Sequence, residues 1–427
     1  MSASRSVLIA ALVVALVLLG WAIRRRPASP SPEGTTTGLN VVVVAIDSFD
    51  PAIAAHYAEQ LELTELRRLI NSGYAGVTMA APPFLPDACW MQLASGRPLT
   101  DSEVERALED PGGRLFGVMP DVARIASEQG ATCVVVGWPG SWPVGNTSAT
   151  VIAPFAPATP DHEVGLPPAI LAGAPDDVSD PDLAETVDAV VRIAEERVSG
   201  IFDESIVVDD AQGDWEGHVN ALEWAFLSDL VSLDLGARLL AERQPDLTLI
   251  YLGGLDVASH RFLGPARPES FGGIPDDVIE RYGDVLGNYY SFIDGAFERI
   301  HRLRERNTLL IACSCYGIAP TVGGPGRSGT HRMGPVGFIN IRGPRIVRPP
   351  SAATVSVHDV APTVLAALGL TIPSDVAGRV LVDGLPEGMM TARPPRYGEA
   401  SGQREPSPPP EETAVMEQIA AERLSRL

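Results

Sequence analysis

The amino-acid sequence predicts an α/β fold, a doubly wound and mostly parallel sheet sandwiched by helices, preceded by one N-terminal transmembrane helix. Three observations carry this. Apolar runs of strand length alternate with segments of helical period, the pattern left by right-handed crossovers between parallel strands. In Asn40-Val-Val-Val-Val-Ala-Ile-Asp47 the six residues between Asn40 and Asp47 are apolar without interruption, as a strand covered on both faces requires. Val7 to Ile23 is an unbroken apolar stretch of about 17 residues, which at about 1.5 Å per residue is just long enough to cross a bilayer core.

Composition narrows the field. With 427 residues, 45% of them hydrophobic, the chain can bury one large α/β core or two ordinary domains. A formal charge of -22, with every basic side chain an Arg, argues against nucleic acid as a partner, because phosphate backbones are bound by basic faces. We attribute the absence of Lys to genomic base composition. Cys89, Cys133, Cys313 and Cys315 have neither the density of a disulfide framework nor the spacing of a zinc ribbon, and are expected as thiols.

Residues 7–23 read as an anchor or an uncleaved signal, since the run passes directly into Trp21-Ala-Ile-Arg-Arg-Arg26 without a small-x-small cleavage site. Arg24, Arg25 and Arg26 against Arg5 favour a cytoplasmic body. Residues 24–38, rich in Pro, Ser and Thr beyond the arginines, form a linker. The globular domain spans 39–390. Its strands are expected at Asn40–Ile46, Thr132–Trp138, Leu247–Leu252, Thr308–Ser314 and Gly337–Arg342. Its helices are expected at Leu63–Asn71, Asp121–Gln129, Leu183–Phe202, Trp215–Arg243 and Asp284–Arg306, where apolar residues recur at three- and four-residue spacing. A further helix runs from His358, opened by Asp359 as its cap and closed by Gly369. The Pro- and Asp-rich region at about 139–214 reads as an insertion over the strand ends, residues 391–411 as a Pro-rich tether, and 412–427 as a short C-terminal helix.

Candidate chemistry gathers where strands end, since ligands of open α/β sheets sit at the carboxyl ends of strands. Asp47 closes the first strand, either as a cap of the next turn or as a ligand. Leu247 to Leu252 leads into Gly253-Gly-Leu-Asp-Val-Ala-Ser-His260. On a helix, Asp256 and His260 share one face, either as a zinc-binding pair or as a cap and an ordinary polar residue. Gly329-Thr-His331 offers a second imidazole from a Gly-rich loop.

The order of these pieces resembles the alkaline phosphatase superfamily, and within it the type I phosphodiesterases and nucleotide pyrophosphatases. The likeness rests on the strand ending in Asp47, Pro82 through Trp90 to Ala94-Ser-Gly-Arg-Pro98, and Val136-Gly-Trp-Pro-Gly-Ser-Trp142. Asp256 to His260, His331 and Asp359-Val-Ala-Pro-Thr363 complete it. The resemblance implies an alkaline-phosphatase-like sandwich with two metal ions, usually zinc, at the strand ends, clamping a phosphoryl group that a metal-held hydroxyl attacks. The first-metal ligands map onto Asp256, His260 and His331, and the strand-end ligand of the second metal onto Asp47.

The remaining correspondences fail. Ser314-Cys-Tyr-Gly317 stands where the family has Ser-Asp-His-Gly, so Cys315 and Tyr316 replace the second-metal carboxylate and imidazole. The nucleophile position falls at Pro86, or at Leu85 if one residue is inserted, and no hydroxyl side chain lies between Thr78 and Ser95. Asp87 and Cys89 are the nearest substitutes, and either would need local activation. The expectation is a membrane-anchored protein that binds one divalent metal, zinc by its ligands, takes a small phosphoester-like anion and hydrolyses it weakly or by an altered route. The alternative is a catalytically inactive family member that binds a ligand or partner.

Overall fold

The computed structural model describes residues 35, 37–82, 84–104, 121–139, 141, 148–152, 183–199, 201–202, 215–304, 306–321, 328–331, 336–349 and 351–399, with backbone alone at 87, 184 and 216. The expected anchor at 7–23, most of the linker and the segments from 400 onward lie outside the described residues. Among the described residues no helix is long and apolar enough to cross a membrane.

An eight-stranded sheet forms the middle layer. Its strands are β1 (Asn40–Ile46), β2 (Tyr74–Met79), β3 (Cys133–Val136), β4 (Thr150–Ile152), β5 (Leu247–Leu252), β6 (Thr308–Ser314), β7 (Phe338–Arg342) and β8 (Ala353–Ser356). Across the sheet they run β8-β2-β7-β6-β1-β5-β3-β4. β7 pairs antiparallel with both β2 and β6, while every other pairing is parallel. The sheet is mostly parallel, as expected, with a single reversed strand. β2, β4 and β8 were not legible as strands: β2 is interrupted by Gly76, and β8 is four residues long with Ser356 at a partly covered end. β4 lies within the expected insertion, which thus extends the sheet by an edge strand as well as adding a helix.

The helices are α1 (Pro51–Gln60), α2 (Thr64–Asn71), α3 (Pro86–Ser95), α4 (Val122–Glu128), α5 (Ala184–Ser199), α6 (Trp215–Arg243), α7 (Gly254–Ala266), α8 (Asp276–Tyr282), α9 (Val285–Leu303) and α10 (Val360–Leu368). The period of two in β1 sorts them into layers. Val41, Val43 and Ala45 join a core with α3, α4 and α10, whereas Val42, Val44 and Ile46 face α1, α2, α7, α8 and α9. Burial on both faces is why the strand carries no polar residue between Asn40 and Asp47. A third core forms where Leu227, Val231, Leu235 and Leu239 of α6, spaced four apart, meet β3 and α5.

Asp359 stands at the N-cap position of α10, but its side chain does not cap that helix. Its carboxylate accepts from Ser356 N at 3.0 Å and Arg379 N at 2.8 Å. Ser356 is the cap of a 3-10 turn, Val357–Asp359, that feeds the helix, and Asp359 completes a capping box with it. Gly369 closes the helix with a left-handed φ of 74°, as expected.

Candidate metal centre

Three adjacent parallel strands deliver the candidate residues. Ile46 pairs with Leu252 and Ala45 with Cys313, so Asp47, the Gly253-Gly254 turn and Ser314 leave the sheet side by side. Asp47 N donates to Leu252 O at 2.9 Å and Phe49 N to Ser314 Oγ at 3.2 Å, tying the three exits together. Between Asp47 and Asp50 the chain turns through Ser48 at φ 60°, a left-handed conformation that costs a non-glycine residue about 1–2 kcal/mol. Asp50 then caps α1 by accepting from Ala52 N and Ile53 N.

Asp256, His260 and His331 converge, with one ligand atom from each lying within 4.8 Å of the others. Asp256 and His260 are one helical turn apart on α7, and His331 follows the short strand Gly329–Thr330. His331 Nε2 is 2.9 Å from Asp256 Oδ1, His260 Nε2 is 3.3 Å from the same oxygen, and the two Nε2 atoms are 3.0 Å apart. The other ring nitrogens face carbonyls: His260 Nδ1 to Gly329 O at 2.8 Å and His331 Nδ1 to Gly317 O at 2.9 Å. A carbonyl only accepts, so both Nδ1 atoms carry protons and both Nε2 atoms face the shared centre, the orientation in which imidazole binds a metal once Nε2 is free of a proton. Bonds of about 2.0–2.1 Å to a tetrahedral zinc separate neighbouring donors by about 3.3 Å. The triangle therefore fits one face of such a coordination sphere.

Charge makes the same point. Burial acts to raise the Asp256 carboxyl, but His260 and His331 outweigh it and hold the group well below its ordinary range. Burial pulls His331 down, yet the hydrogen bond and charge of Asp256, with the charge of Asp47, lift it to about 9. A proton on His331 Nε2 and a metal ion compete for one position.

Asp47 lies beside this group rather than in it. Its Oδ2 accepts from Tyr251 OH at 2.5 Å and Trp90 Nε1 at 3.0 Å, while among the described residues its buried Oδ1 has no hydrogen-bond partner. Burial, then repulsion by Asp256, pushes its carboxyl up to about 6. Trp90 stands edge-on to both Tyr251 and Trp138, so Asp47 is walled by aromatic rings. Ser48 Oγ donates to Asp256 Oδ1 at 2.5 Å. Ser48, Tyr251 and Trp90 were not singled out as site residues from the sequence. Adjacency to Asp47 was the only signal for Ser48, and a Tyr in a strand carries none.

The substituted half of the site belongs to the hydrophobic core. Cys89, Trp90, Cys315 and Tyr316 join the cluster built on Val41, Val43 and Ala45. The Cys315 thiol meets the Cys89 thiol, and burial above all pushes it well above its ordinary range. Burial does the same to the Tyr316 phenol, whose ring lies 4.8 Å from that of His331. Without a metal, both groups are therefore held in their neutral forms. Cys89 is fully buried and out of a ligand's reach. Pro86 is the first residue of α3, behind Leu85 as an N-cap with no side-chain hydrogen bond, a place where the missing N–H leaves nothing unsatisfied. Asp87 follows in the first turn, and its side chain lies outside the described residues.

The family profile described as type I phosphodiesterase / nucleotide pyrophosphatase matches residues 90–327, more than half of the chain. The chain belongs to that family. Within this phosphodiesterase family match lie Asp256, His260, Cys315 and Tyr316, whereas Asp47, Pro86 and His331 fall beyond its ends. Among solved structures, a protein designated a sulfatase from Bacteroides thetaiotaomicron aligns at a TM-score of 0.51 and 12% identity, covering 86% of this chain and 76% of its own. The phosphonate monoester hydrolase of Silicibacter pomeroyi aligns at 0.43 and 14%, covering 88% and 82%. Murine ectonucleotide pyrophosphatase / phosphodiesterase 5 aligns at 0.43 and 9%, covering 78% and 96%. The first of these likenesses supports a shared α/β sandwich. No curated protein matches the chain.

Proposed function

We propose that this phosphodiesterase-family protein binds one divalent cation, zinc by its donor set, through Asp256, His260 and His331 with Asp47 alongside. In this reading it is anchored by Val7–Ile23, takes a small phosphoester-like anion at that cation, and hydrolyses it slowly without a side-chain nucleophile. The observation that carries the reading is the triangle of Asp256 Oδ1, His260 Nε2 and His331 Nε2, with edges of 2.9, 3.0 and 3.3 Å. Two neutral imidazoles and one carboxylate are a common catalytic zinc set that leaves a position open. When bound, such a cation polarises a phosphoryl oxygen and brings the pKa of water toward neutrality.

The chain's own residues do the rest. Gly317 O and Gly329 O fix the two rings, Ser48 holds the Asp256 carboxylate, and the unmet Oδ1 of Asp47 offers a buried acceptor to a cation or a ligand donor. The phosphoester class comes from the family match. Without a hydroxyl at Pro86 and with Cys315 and Tyr316 in the core, the two-metal route is closed. Each lost power of ten in rate is about 1.4 kcal/mol of barrier.

Metal analysis of the stripped and zinc-reconstituted protein tests this. About one equivalent should be retained by the wild type and lost in H260A. A chromogenic phosphodiester, monoester and sulfate ester should show slow turnover above a D256A control for at least one substrate. Failure of the wild type to retain zinc overturns the reading. Retention without turnover selects a second one, a catalytically silent ligand-binding member, which the burial of Cys89, Cys315 and Tyr316 favours.

A further inference from the structure

We propose that Asp229, aligned by Tyr289, is a positioning residue that sets the metal centre by clamping the turn from which Asp256 and His260 emerge. The inference rests on the cation reading above, and names a part of that site which contacts neither metal nor ligand.

Asp229 lies midway along the 29-residue α6 and is 1% exposed. Its Oδ1 accepts from Gly253 N at 2.8 Å and Gly254 N at 3.2 Å, and its Oδ2 from Gly254 N at 3.1 Å. Tyr289 OH, on α9, donates to Oδ2 at 2.8 Å. These are the first amides of α7. A helix normally has them satisfied by the side chain of its own N-cap. Here the N-cap is Gly253, with no side-chain cap, so a carboxylate from another helix takes the role. It does so at the end of α7 where the helix dipole favours negative charge.

The fit leaves no slack. A Cβ on Gly254 would overlap the Tyr289 hydroxyl and lie 3.0 Å from Ala225 O, so α6, α7 and α9 meet at this point with glycine as the tolerated residue. Two positions further on is Asp256, which with His260 moves as part of the same helix. His331 arrives on a separate segment. What the clamp sets is therefore the spacing between the α7 pair and His331, the 2.9 Å and 3.0 Å edges of the triangle. Groups that orient metal ligands from behind typically govern about 10–100-fold in metal affinity.

Cobalt(II) titration of the stripped full-length protein, read by visible absorption and by competition with a chelator, gives a test independent of activity. It is run well below the unfolding temperature of every variant. D229A should bind cobalt about 10–100-fold more weakly and with an altered visible spectrum. D229N, whose Oδ1 can still accept both glycine amides, should restore affinity to within about threefold of wild type. If D229A is merely less heat-stable but keeps wild-type affinity and spectrum, Asp229 is structural and the proposal is overturned. Should D229A fail to fold, Y289F decides: a loss of about three- to tenfold is expected, and unchanged affinity and spectrum overturn the proposal. A wild type that binds no cobalt removes the cation reading itself and this inference with it, an outcome distinct from binding that is indifferent to Asp229.

Discussion

Replacing Tyr251 by Phe isolates the state of Asp47. The carboxylate is 6% exposed and among the described residues has two side-chain donors, both on Oδ2, from Tyr251 at 2.5 Å and Trp90 at 3.0 Å. Phe keeps the ring that Trp90 meets edge-on at 5.2 Å and removes only the hydroxyl. A hydrogen bond to an ionised group contributes about 1.5–3 kcal/mol, and one to a neutral group about 0.5–1.5 kcal/mol. With its carboxyl lifted to about 6, Asp47 is ionised in the fold at about pH 8 and protonated at about pH 5. In metal-stripped protein, urea unfolding should therefore show Y251F destabilised by about 2 kcal/mol at the higher pH and about 1 kcal/mol at the lower. The difference of about 1 kcal/mol is a further rise of about 0.7 unit in the Asp47 pKa. Equal losses at the two pH values, or a larger loss in acid, would refute a buried Asp47 carboxylate that depends on Tyr251 for its charge.

The stripped wild type should lose stability as pH rises from about 4 to about 9, measured by denaturant midpoints across that range. Asp229 and Asp47 are lifted from 3.8 to about 7 and about 6, chiefly by burial, so the folded state keeps protons that the unfolded chain has released. His331, lifted from 6.5 to about 9 by Asp256 against the pull of burial, gives stability that is full below 6.5 and gone above 9. Asp256, held low by the two imidazoles although burial opposes them, sets the acid limit, because its contribution is lost as pH falls below 3.8. All four cysteines are buried, and burial pushes the Cys133 thiol far above its ordinary range and the Cys313 thiol up to about 12. A thiol reagent at neutral pH should thus label no cysteine until denaturant is added, and rapid labelling of Cys89 or Cys315 in the native protein would contradict their buried contact.

Periodicity alone located most of the scaffold. The valine run of β1, the apolar strands β5 and β6 and the long helices α6 and α9 declare themselves because each buries a regular face, and burial leaves a repeat in the sequence. The pairing of Asp256 with His260 was legible for the same reason, since four residues make one helical turn. So was the departure of Pro86, Cys315 and Tyr316 from the pattern that the resemblance implies, a matter of residue type at a motif position. Tertiary structure decided the rest. β7 runs against its neighbours, a direction that a two-residue repeat does not encode. Nothing about Asp229, in the middle of a helix, marks it as the cap of another helix 24 residues away along the chain. Asp47 is held by a Tyr from β5 and a Trp from α3, and Cys89 meets Cys315 only because α3 packs over the end of β6. Sequence states which groups a chain owns and how neighbours repeat. Contacts between groups far apart along the chain, and the charges those contacts permit, exist only once separate elements share one core.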